Sequence, residues 1–363
     1  MRVFKKILAG LALMVSLGAQ QAPAQQTRIL TADKHNEYGL VYRLPKTALR
    51  IEVTATRTRR KAGPFWQYAK KYIGTDQVIR EDSEEWTLNS VSVAPYGVAD
   101  DETEYLMQLK PGSVAYISVD ADGMIGAINK EIPSAPAIET ATARPENADR
   151  PLDVNRYLQY VNDEFLASQS SGKKAQLLTE NIMEVRDAKV SLSRGTAETM
   201  PTDGRQLELM LNSLADQEAS MTAAFRGLED TATFTMTYTY LPADNGREVL
   251  FRLSDFAGFV DADDLSGAPV YISVEITRQG ELPVDVKGEE KKLPKDAVIY
   301  NIPGAARVTV SHNGRNYFER EFEFAQFGVK FGLNPTLFSD KKAKSFAVFS
   351  PVTGALTEIG ETE

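Results

Sequence analysis

Three aspartates in one short stretch are the residues best suited to bind a metal ion. They occur in Asp261-Ala262-Asp263-Asp264, which Gly267 follows three residues later. Clustered carboxylates on a glycine-containing loop suit a hard cation such as calcium. The stretch lacks the full ligand series and the closing glutamate of a calcium-binding hand, so a solvated loop between strands is the simpler interpretation. We keep Asp261, Asp263 and Asp264 as a calcium-site prediction and expect no other cofactor.

An aromatic cluster is the second group of residues that could bind a ligand. It comprises Phe65, Trp66, Tyr68, Tyr72 and Trp86. Aromatic faces can stack against sugar rings, but at helical spacing they more often cover a sheet. Trp66 lies off the face shared by Phe65 and Tyr72, which makes it the best exposed candidate. Trp66 and Trp86 are therefore predicted as ligand-binding residues.

Catalytic motifs are nearly absent, and we predict no catalytic residues. The chain contains only two histidines, His35 and His312, which are far apart and expected to be exposed. A serine–histidine–aspartate device or a histidine-based metal site would need one of them. A glycoside hydrolase needs only two acids about 5 to 10 Å apart, and a sequence does not give that distance. We favour a protein that is not an enzyme.

A basic run just before the aromatic cluster is expected to lie at the surface at the end of a strand. It consists of Arg57, Arg59, Arg60 and Lys61. A specific anion site is the alternative interpretation, because clustered cations attract anions.

The N-terminus has the three parts of a secretory signal peptide. Residues 1–6 are basic, residues 7–19 are apolar, and Ala22 and Ala24 stand where a signal peptidase reads small residues. The apolar run is too short for a spanning helix, which needs about 20 residues. We expect residues 1–24 to be removed and the protein to be periplasmic or associated with the outer membrane. It cannot be a bacterial lipoprotein of the usual kind, since it has no cysteine to carry the lipid.

The composition narrows the class of partner. The chain has 363 residues and no cysteine, so disulfides and thiolate metal sites are ruled out. The first 24 residues contain three of the 41 basic residues and no acidic one, which leaves the remainder with a net charge near −12. An acidic protein repels nucleic acid and anionic lipid at long range. We expect neither as a partner, and we expect no transmembrane segment after the signal.

Three compositional zones predict an α+β fold. Residues 25–150 form an N-terminal β-rich domain, residues 151–228 a helical segment, and residues 229–363 a C-terminal β-rich domain. Alternation of apolar and polar residues is clearest at 49–56 and 233–241. We expect two antiparallel β-rich regions, each a sandwich or partly open barrel, separated by a helical hairpin or three-helix unit. The proline-rich stretch 134–151 is expected to be a linker or long loop.

Turn and capping residues predict individual elements. Glycine-containing turns at 120–123 and at Asn313-Gly314 predict hairpins. A first helix is expected to begin at Asp153, a second to run from 174 to 194, and a third from 203 to 226. A short helix is expected between Pro64 and Gly74.

A Tyr-x-aliphatic-Pro element that leads into a strand occurs twice, at Tyr42–Pro45 and Tyr300–Pro303. For so short a match, chance is the simpler explanation.

Several segments together resemble one known family. These are Tyr42-Arg43-Leu44-Pro45-Lys46-Thr47, the stretch from Gly63 to Gly74, Ala325-Gln326-Phe327-Gly328, and the stretch from Phe349 to Leu356. They resemble an exported family of Gram-negative anaerobes known as domain of unknown function 4831. The resemblance implies no activity and no catalytic residues. We expect a non-enzymatic binding or scaffolding protein of the cell envelope with a protein or glycan partner, and the alternative is a carbohydrate-active protein. The oligomeric state stays open.

Overall fold

The computed structural model describes residues 39–108, 117–131, 143–146, 148–338 and 344–362. Antiparallel strands are the largest class of structure in these residues and a helical unit is inserted between them, so the fold is α+β as predicted. Within these ranges the strands are β1 (Gly39–Tyr42), β2 (Pro45–Lys61), β3 (Ser83–Ala99), β4 (Tyr105–Gln108), β5 (Ile117–Val119), β6 (Ile125–Ile128), β7 (Leu228–Tyr240), β8 (Gly246–Ser254), β9 (Gly258–Val260), β10 (Ala268–Arg278), β11 (Val298–His312), β12 (Arg315–Leu333), β13 (Lys344–Phe349) and β14 (Leu356–Thr362).

The helical elements are shorter and mostly grouped in one part of the chain. None of the described helices is both long and apolar enough to cross a membrane. They are α1 (Ala69–Ile73), α2 (Asp163–Ala167), α3 (Ser171–Arg194) and α4 (Gly204–Arg226), with 3-10 turns at Trp66–Tyr68, Arg156–Tyr160 and Pro335–Phe338.

Two sheets share the largest hydrophobic core. One has the strand order β3-β2-β7 and the other the order β12-β11-β10-β8-β9. Buried residues alternate along β2, since Ile51 and Val53 are buried whereas Glu52 between them and Thr54 beyond them are only half-buried. The buried residues of β2 and β3 form one cluster with those of β8, β10, β11 and β12. Strands from both ends of the chain therefore bury their apolar faces against each other.

A second core lies where β1 and β4 meet a four-stranded sheet of order β14-β13-β6-β5. The predicted hairpins are present, because β5 pairs with β6 and β11 pairs with β12 in antiparallel register. Tyr42 is fully buried here, and its hydroxyl donates to the carbonyl of Ile299 and accepts from the amide of the same residue. This core too combines residues from both β-rich zones.

The helical segment confirms two of the three predicted helices. Helix α3 ends at Gly195, whose φ of 70° is left-handed, as expected for a glycine stop. Helix α4 begins after Asp203, whose carboxylate accepts a 2.7 Å hydrogen bond from the amide of Gln206. Phe225 and Phe165 lie in the core of this unit.

The first predicted helix is wrong as a single element. Val161 has an extended backbone, which ends the 3-10 turn at Tyr160. Asn162 then starts the separate helix α2, because its side chain accepts a hydrogen bond from the amide of Phe165. The helix expected between Pro64 and Gly74 begins as a 3-10 turn, continues as α1 and ends at Gly74 as predicted.

Candidate functional site

The three aspartates of the predicted calcium site lie on the exposed loop between β9 and β10. The carboxylate of Asp264 accepts a 2.9 Å hydrogen bond from the amide of Ser266, and this bond lowers its pKa. In the part of the chain that the structure describes, no group of three or more histidine, aspartate or glutamate side chains could hold a metal ion. The structure thus does not assemble Asp261, Asp263 and Asp264 into a ligand set, and calcium stays a prediction from the sequence.

Trp66 and Trp86 occupy separate parts of the molecule. Trp66 is half-buried on the 3-10 turn before α1, and the guanidinium carbon of Arg80 lies 5.9 Å from its ring centroid. Trp86 is half-buried on β3 and packs at the edge of the two-sheet core, with Phe234 at 4.8 Å between centroids. The ligand-binding prediction for both residues stays a prediction.

One face of Trp86 is covered by the backbone of Gly258. This glycine has a φ of +71°, and a β-carbon at this position would lie 2.7 Å from the indole ring. Any other residue would clash with the ring as well as adopt a strained backbone. The indole therefore contributes to packing between β3 and β9.

His312 is buried, so the prediction that it is exposed is wrong. Its relative exposure is 7%, and Nδ1 lies 3.1 Å from the carbonyl oxygen of Pro269. His312 pairs with Val270 at the end of β11, where the inward-facing series Val308 and Val310 continues. His35 lies outside the described residues.

One residue of the basic run on β2 is placed differently from the prediction, whereas Arg59, Arg60 and Lys61 do lie at the end of this strand. Arg57 is only 9% exposed, and it continues the buried face of β2 instead of decorating a strand end. Its guanidinium carbon lies 5.7 Å from the ring centroid of Trp86 and 5.2 Å from that of Phe234. A guanidinium close to two aromatic rings is stabilised by cation–π attraction.

Each cation of this run has a carboxylate nearby. Arg57 Nη1 lies 3.5 Å from Asp149, Arg59 Nη2 lies 2.8 Å from Asp230, and Arg60 Nε lies 2.6 Å from Glu229. Lys61 pairs with Asp82. The positive charge of this run is therefore already neutralised by the chain's own carboxylates, which disfavours the alternative of an anion site.

Arg57 and Arg59 hold a covering segment against the edge of β7. We define the covering segment as residues 143–146 and 148–150, which belong to the stretch predicted as a linker or long loop. Ala143 and Thr235 exchange two backbone hydrogen bonds of 3.1 and 3.0 Å. Arg57 donates to the carbonyl of Ala148, and Arg59 donates to that of Arg150 at 2.9 Å. The described part of this stretch is thus fixed along β7 by main-chain bonds and two arginines.

Two open clefts lie on the flanks of α4, near the point where this helix joins β7. The first cleft has a volume of about 500 Å³. The second has a volume of about 840 Å³. Neither is lined by Trp66 or Trp86. The charged side chains of the first cleft are Arg150, Asp153, Arg156, Asp216 and Asp230. Those of the second cleft are Arg186, Glu218, Arg226 and Glu229.

Glu218 ties α3 to α4 beside the second cleft. In the sequence it interrupts the apolar stripe of α4, and the structure supplies the reason. Its carboxylate accepts hydrogen bonds from Lys189 at 2.8 Å and Arg186 at 2.6 Å. These two cations lower the pKa of Glu218. The interruption is therefore an interhelical ion pair.

Buried phenols also have a shifted pKa. Burial raises the pKa of Tyr42 and of Tyr238, and the charge of Asp261 raises that of Tyr238 further. Phenols whose pKa is raised stay neutral at physiological pH and act as hydrogen-bond donors or packing groups.

Three of the segments that carry the family resemblance meet in a buried polar network. The amide of Thr47 donates to Gln326 Oε1 at 2.9 Å, and the Thr47 hydroxyl donates to the carbonyl of Val352 at 3.1 Å. Asn301 Nδ2 donates to the carbonyl of Thr353 at 2.8 Å. The motifs at 42–47, 325–328 and 349–356 thus satisfy each other's backbone groups where the two cores adjoin.

Replacing Arg57 tests how the covering segment is held. The R57M variant keeps an apolar side chain between Trp86 and Phe234 but loses the donor to Ala148, so the covering segment should detach more often. A hydrogen bond from a charged donor contributes about 1.5 to 3 kcal/mol, and about 1.4 kcal/mol corresponds to a factor of ten. We therefore expect the amide of Thr235 to exchange hydrogen at least about tenfold faster than in the wild type. The control is R60M, which removes a surface cation from the same strand. Equal exchange rates in R57M and wild type would contradict this role.

The ion pair of Glu218 predicts a pH-dependent effect on stability. Because the folded pKa of Glu218 is lowered, its contribution is present above the unfolded pKa of about 4.3. It is lost as the pH falls through the folded pKa. We expect E218Q to melt at a lower temperature than wild type at pH 7, and the difference to be smaller at about pH 3, below the unfolded pKa. A matched variant is E208Q, on the exposed face of the same helix, which should melt like wild type. A Tm difference for E218Q that is the same at both pH values would show that the charge of Glu218 is not responsible.

The comparison with known proteins gives a family and no function. Neither a curated protein nor a solved structure matches the chain. The sequence model of one family matches residues 38–357, which is nearly all of the described part. The chain therefore belongs to the family described as domain of unknown function DUF4831.

Proposed function

We propose that this protein is a non-enzymatic binding or scaffolding protein of the cell envelope, which binds a protein partner at the two clefts beside α4. The observation that carries the proposal is the pair of open, mixed-charge clefts on the two flanks of one helix. A partner that contacts both flanks would bind α4 on two sides, near the end of the helix that leads into β7.

The composition of the clefts favours a protein over a small molecule. Small-molecule sites are mostly apolar and enclose their ligand, with few polar groups. Each of these clefts is open and contains two arginines together with two or three carboxylates. Arginine is enriched in protein interfaces, and paired charges of both signs give specificity.

The proposed location rests on the N-terminus and the proposed architecture on the core. The basic start, short apolar run and Ala22-Pro23-Ala24 support export to the periplasm or the outer membrane, and the sequence contains no cysteine that a lipid could modify. The shared core supports a β-sandwich formed by the sheets β3-β2-β7 and β12-β11-β10-β8-β9.

The experiment for the main proposal is crosslinking and affinity recovery from envelope fractions. We expect wild-type protein to recover one partner in constant ratio, and the R150A/R156A double variant to recover at least about tenfold less, as for the loss of interface arginines. The control is R205A, which removes an exposed arginine from the far end of α4. Recovery of the wild type only as a free monomer, or equal recovery by R150A/R156A, would remove the proposal.

A carbohydrate-active protein is the second candidate, and one observation favours it. Asp153, Asp216 and Asp230 line the first cleft together, and acid-based hydrolysis of a glycosidic bond requires two carboxyl groups across the substrate. A glycan array and a hydrolase panel test this candidate. We would expect a signal that D153N and D216N each abolish while D263N, on the distant exposed loop, leaves it unchanged. Blank results on both assays would discard it.

A further inference from the structure

The two Tyr-x-aliphatic-Pro elements lie in matching surroundings. The amide of Arg43 donates to the carbonyl of Gly123 at 2.9 Å, and the amide of Asn301 donates to the carbonyl of Gly354 at 3.1 Å. The next residue along, Met124 or Ala355, forms a parallel bridge with Arg43 or Asn301 respectively. Each element thus meets the same kind of turn through the same two contacts.

The hairpins that follow these contacts match as well. Gly123 and Gly354 both have a left-handed φ, of 78° and 67°. Each glycine ends the turn of a hairpin, β5–β6 in the first case and β13–β14 in the second. Both hairpins contain a bulge directly before the last pair of the first strand, between Ser118 and Val119 or between Val348 and Phe349.

Chance is therefore the wrong explanation of the short sequence match. A tyrosine element, a turn glycine, a parallel bridge and a bulge coincide at equivalent positions in two separate parts of the chain. The chain contains one structural unit twice. In this equivalence β5 corresponds to β13, and β6 corresponds to β14.

The two copies of the unit are joined by a single strand pairing. In the sheet of order β14-β13-β6-β5, strand β6 pairs antiparallel with β13, and Ile128 lies opposite Ala347 while Ala127 lies opposite Val348. The outer strands of the described sheet are then β5, the equivalent of β13, and β14, the equivalent of β6. Each edge strand of the described sheet is therefore the counterpart of one of the two strands that pair at the internal joint.

Both edges have properties that suit pairing. Ile359 on β14 is 49% exposed and Val119 on β5 is 39% exposed, so apolar surface lies at each edge. Glu358 on β14 is equivalent to Ala127 on β6, and its carboxylate already forms an ion pair of 2.6 Å with Lys130. An edge strand offers backbone donors and acceptors to another strand, and matched charges reduce the repulsion that would otherwise protect the edge.

We propose that a second copy of this chain binds at these edges, with β14 of one copy pairing antiparallel to β5 of the next. The register follows from the internal joint, so Ile359 lies opposite Ile117 of the second copy and Glu358 lies opposite Ser118. The contact is head-to-tail and leaves one edge open on each end, which produces chains of molecules and not closed dimers. The described part of β5 has three residues, and a strand pairing of that length is weak and depends on concentration. This inference does not rest on the proposed function.

The absence of cysteine from the chain permits a direct test. Two single-cysteine variants, S118C and E358C, are prepared in the full chain, mixed in equal amounts and oxidised mildly. Residues directly opposite each other in an antiparallel pair have α-carbons about 4.5 to 5.5 Å apart, which lies within the range of about 4.4 to 6.8 Å that a disulfide spans. We expect a dimer that contains one copy of each variant, and at least about tenfold less dimer from either variant alone.

A mixture of S118C and E361C is the matched control, because residue 361 is three positions out of register and points to the opposite face. Equal crosslinking in the two mixtures would overturn the proposal. So would a disulfide within one chain in the S118C/E358C double variant, since the two edges would then meet in the same molecule. Sedimentation equilibrium of the wild type tests the proposal without any variant, in case a cysteine variant fails to fold. The average mass should rise with protein concentration. A constant monomer mass up to about 1 mM, the weak end of the affinity scale, would also overturn the proposal.

Discussion

The burial of the inward faces of two sheets in one core is the interaction on which the rest of the structure depends. Ile51 and Val53 on β2 belong to the same cluster as Ile272 on β10 and Val308 on β11. Burying apolar surface contributes about 25 cal/mol per Å², and a chain without cysteine has no disulfide to supplement it. The helical unit is inserted into this arrangement, since α4 leads directly into β7 and β7 pairs along the length of β2.

The charged groups around α4 depend on that frame. Arg59 reaches Asp230 because β2 and β7 are paired, and Glu218 reaches Arg186 and Lys189 because α3 and α4 are antiparallel. Ion pairs at partly exposed positions add little to stability, about 0 to 1 kcal/mol each. Their main effect is on surface chemistry, since they give both clefts alternating charges at fixed positions. A partner can recognise such a pattern, whereas a single strong charge would attract many molecules.

The sequence predicts local structure well and the candidate site poorly, and the reason is physical. Alternation, capping residues and turn glycines act over a few residues, so β2, β7, α3, α4 and the Asn313-Gly314 hairpin were predicted correctly. Pairing partners are long-range choices: β2 lies between β3, the next long strand, and β7, which comes after the helical unit. The clefts depend on those choices and could not be found. The burial of Arg57 and His312 could have been predicted from the sequence, because each residue continues the alternating, inward-facing series of its strand.

The central position of β2 has a consequence for how the molecule folds. One neighbour of β2 is close in the chain, but the other, β7, begins at Leu228, more than 160 residues after the end of β2 at Lys61. Contacts between residues so far apart in the chain slow folding, because a long loop must close, at a cost in entropy, before the strand pairing can stabilise the structure. During synthesis, β2 cannot be paired on both sides until the helical unit and β7 have emerged. The polypeptide is therefore expected to remain incompletely folded for most of its synthesis and to acquire its central sheet late.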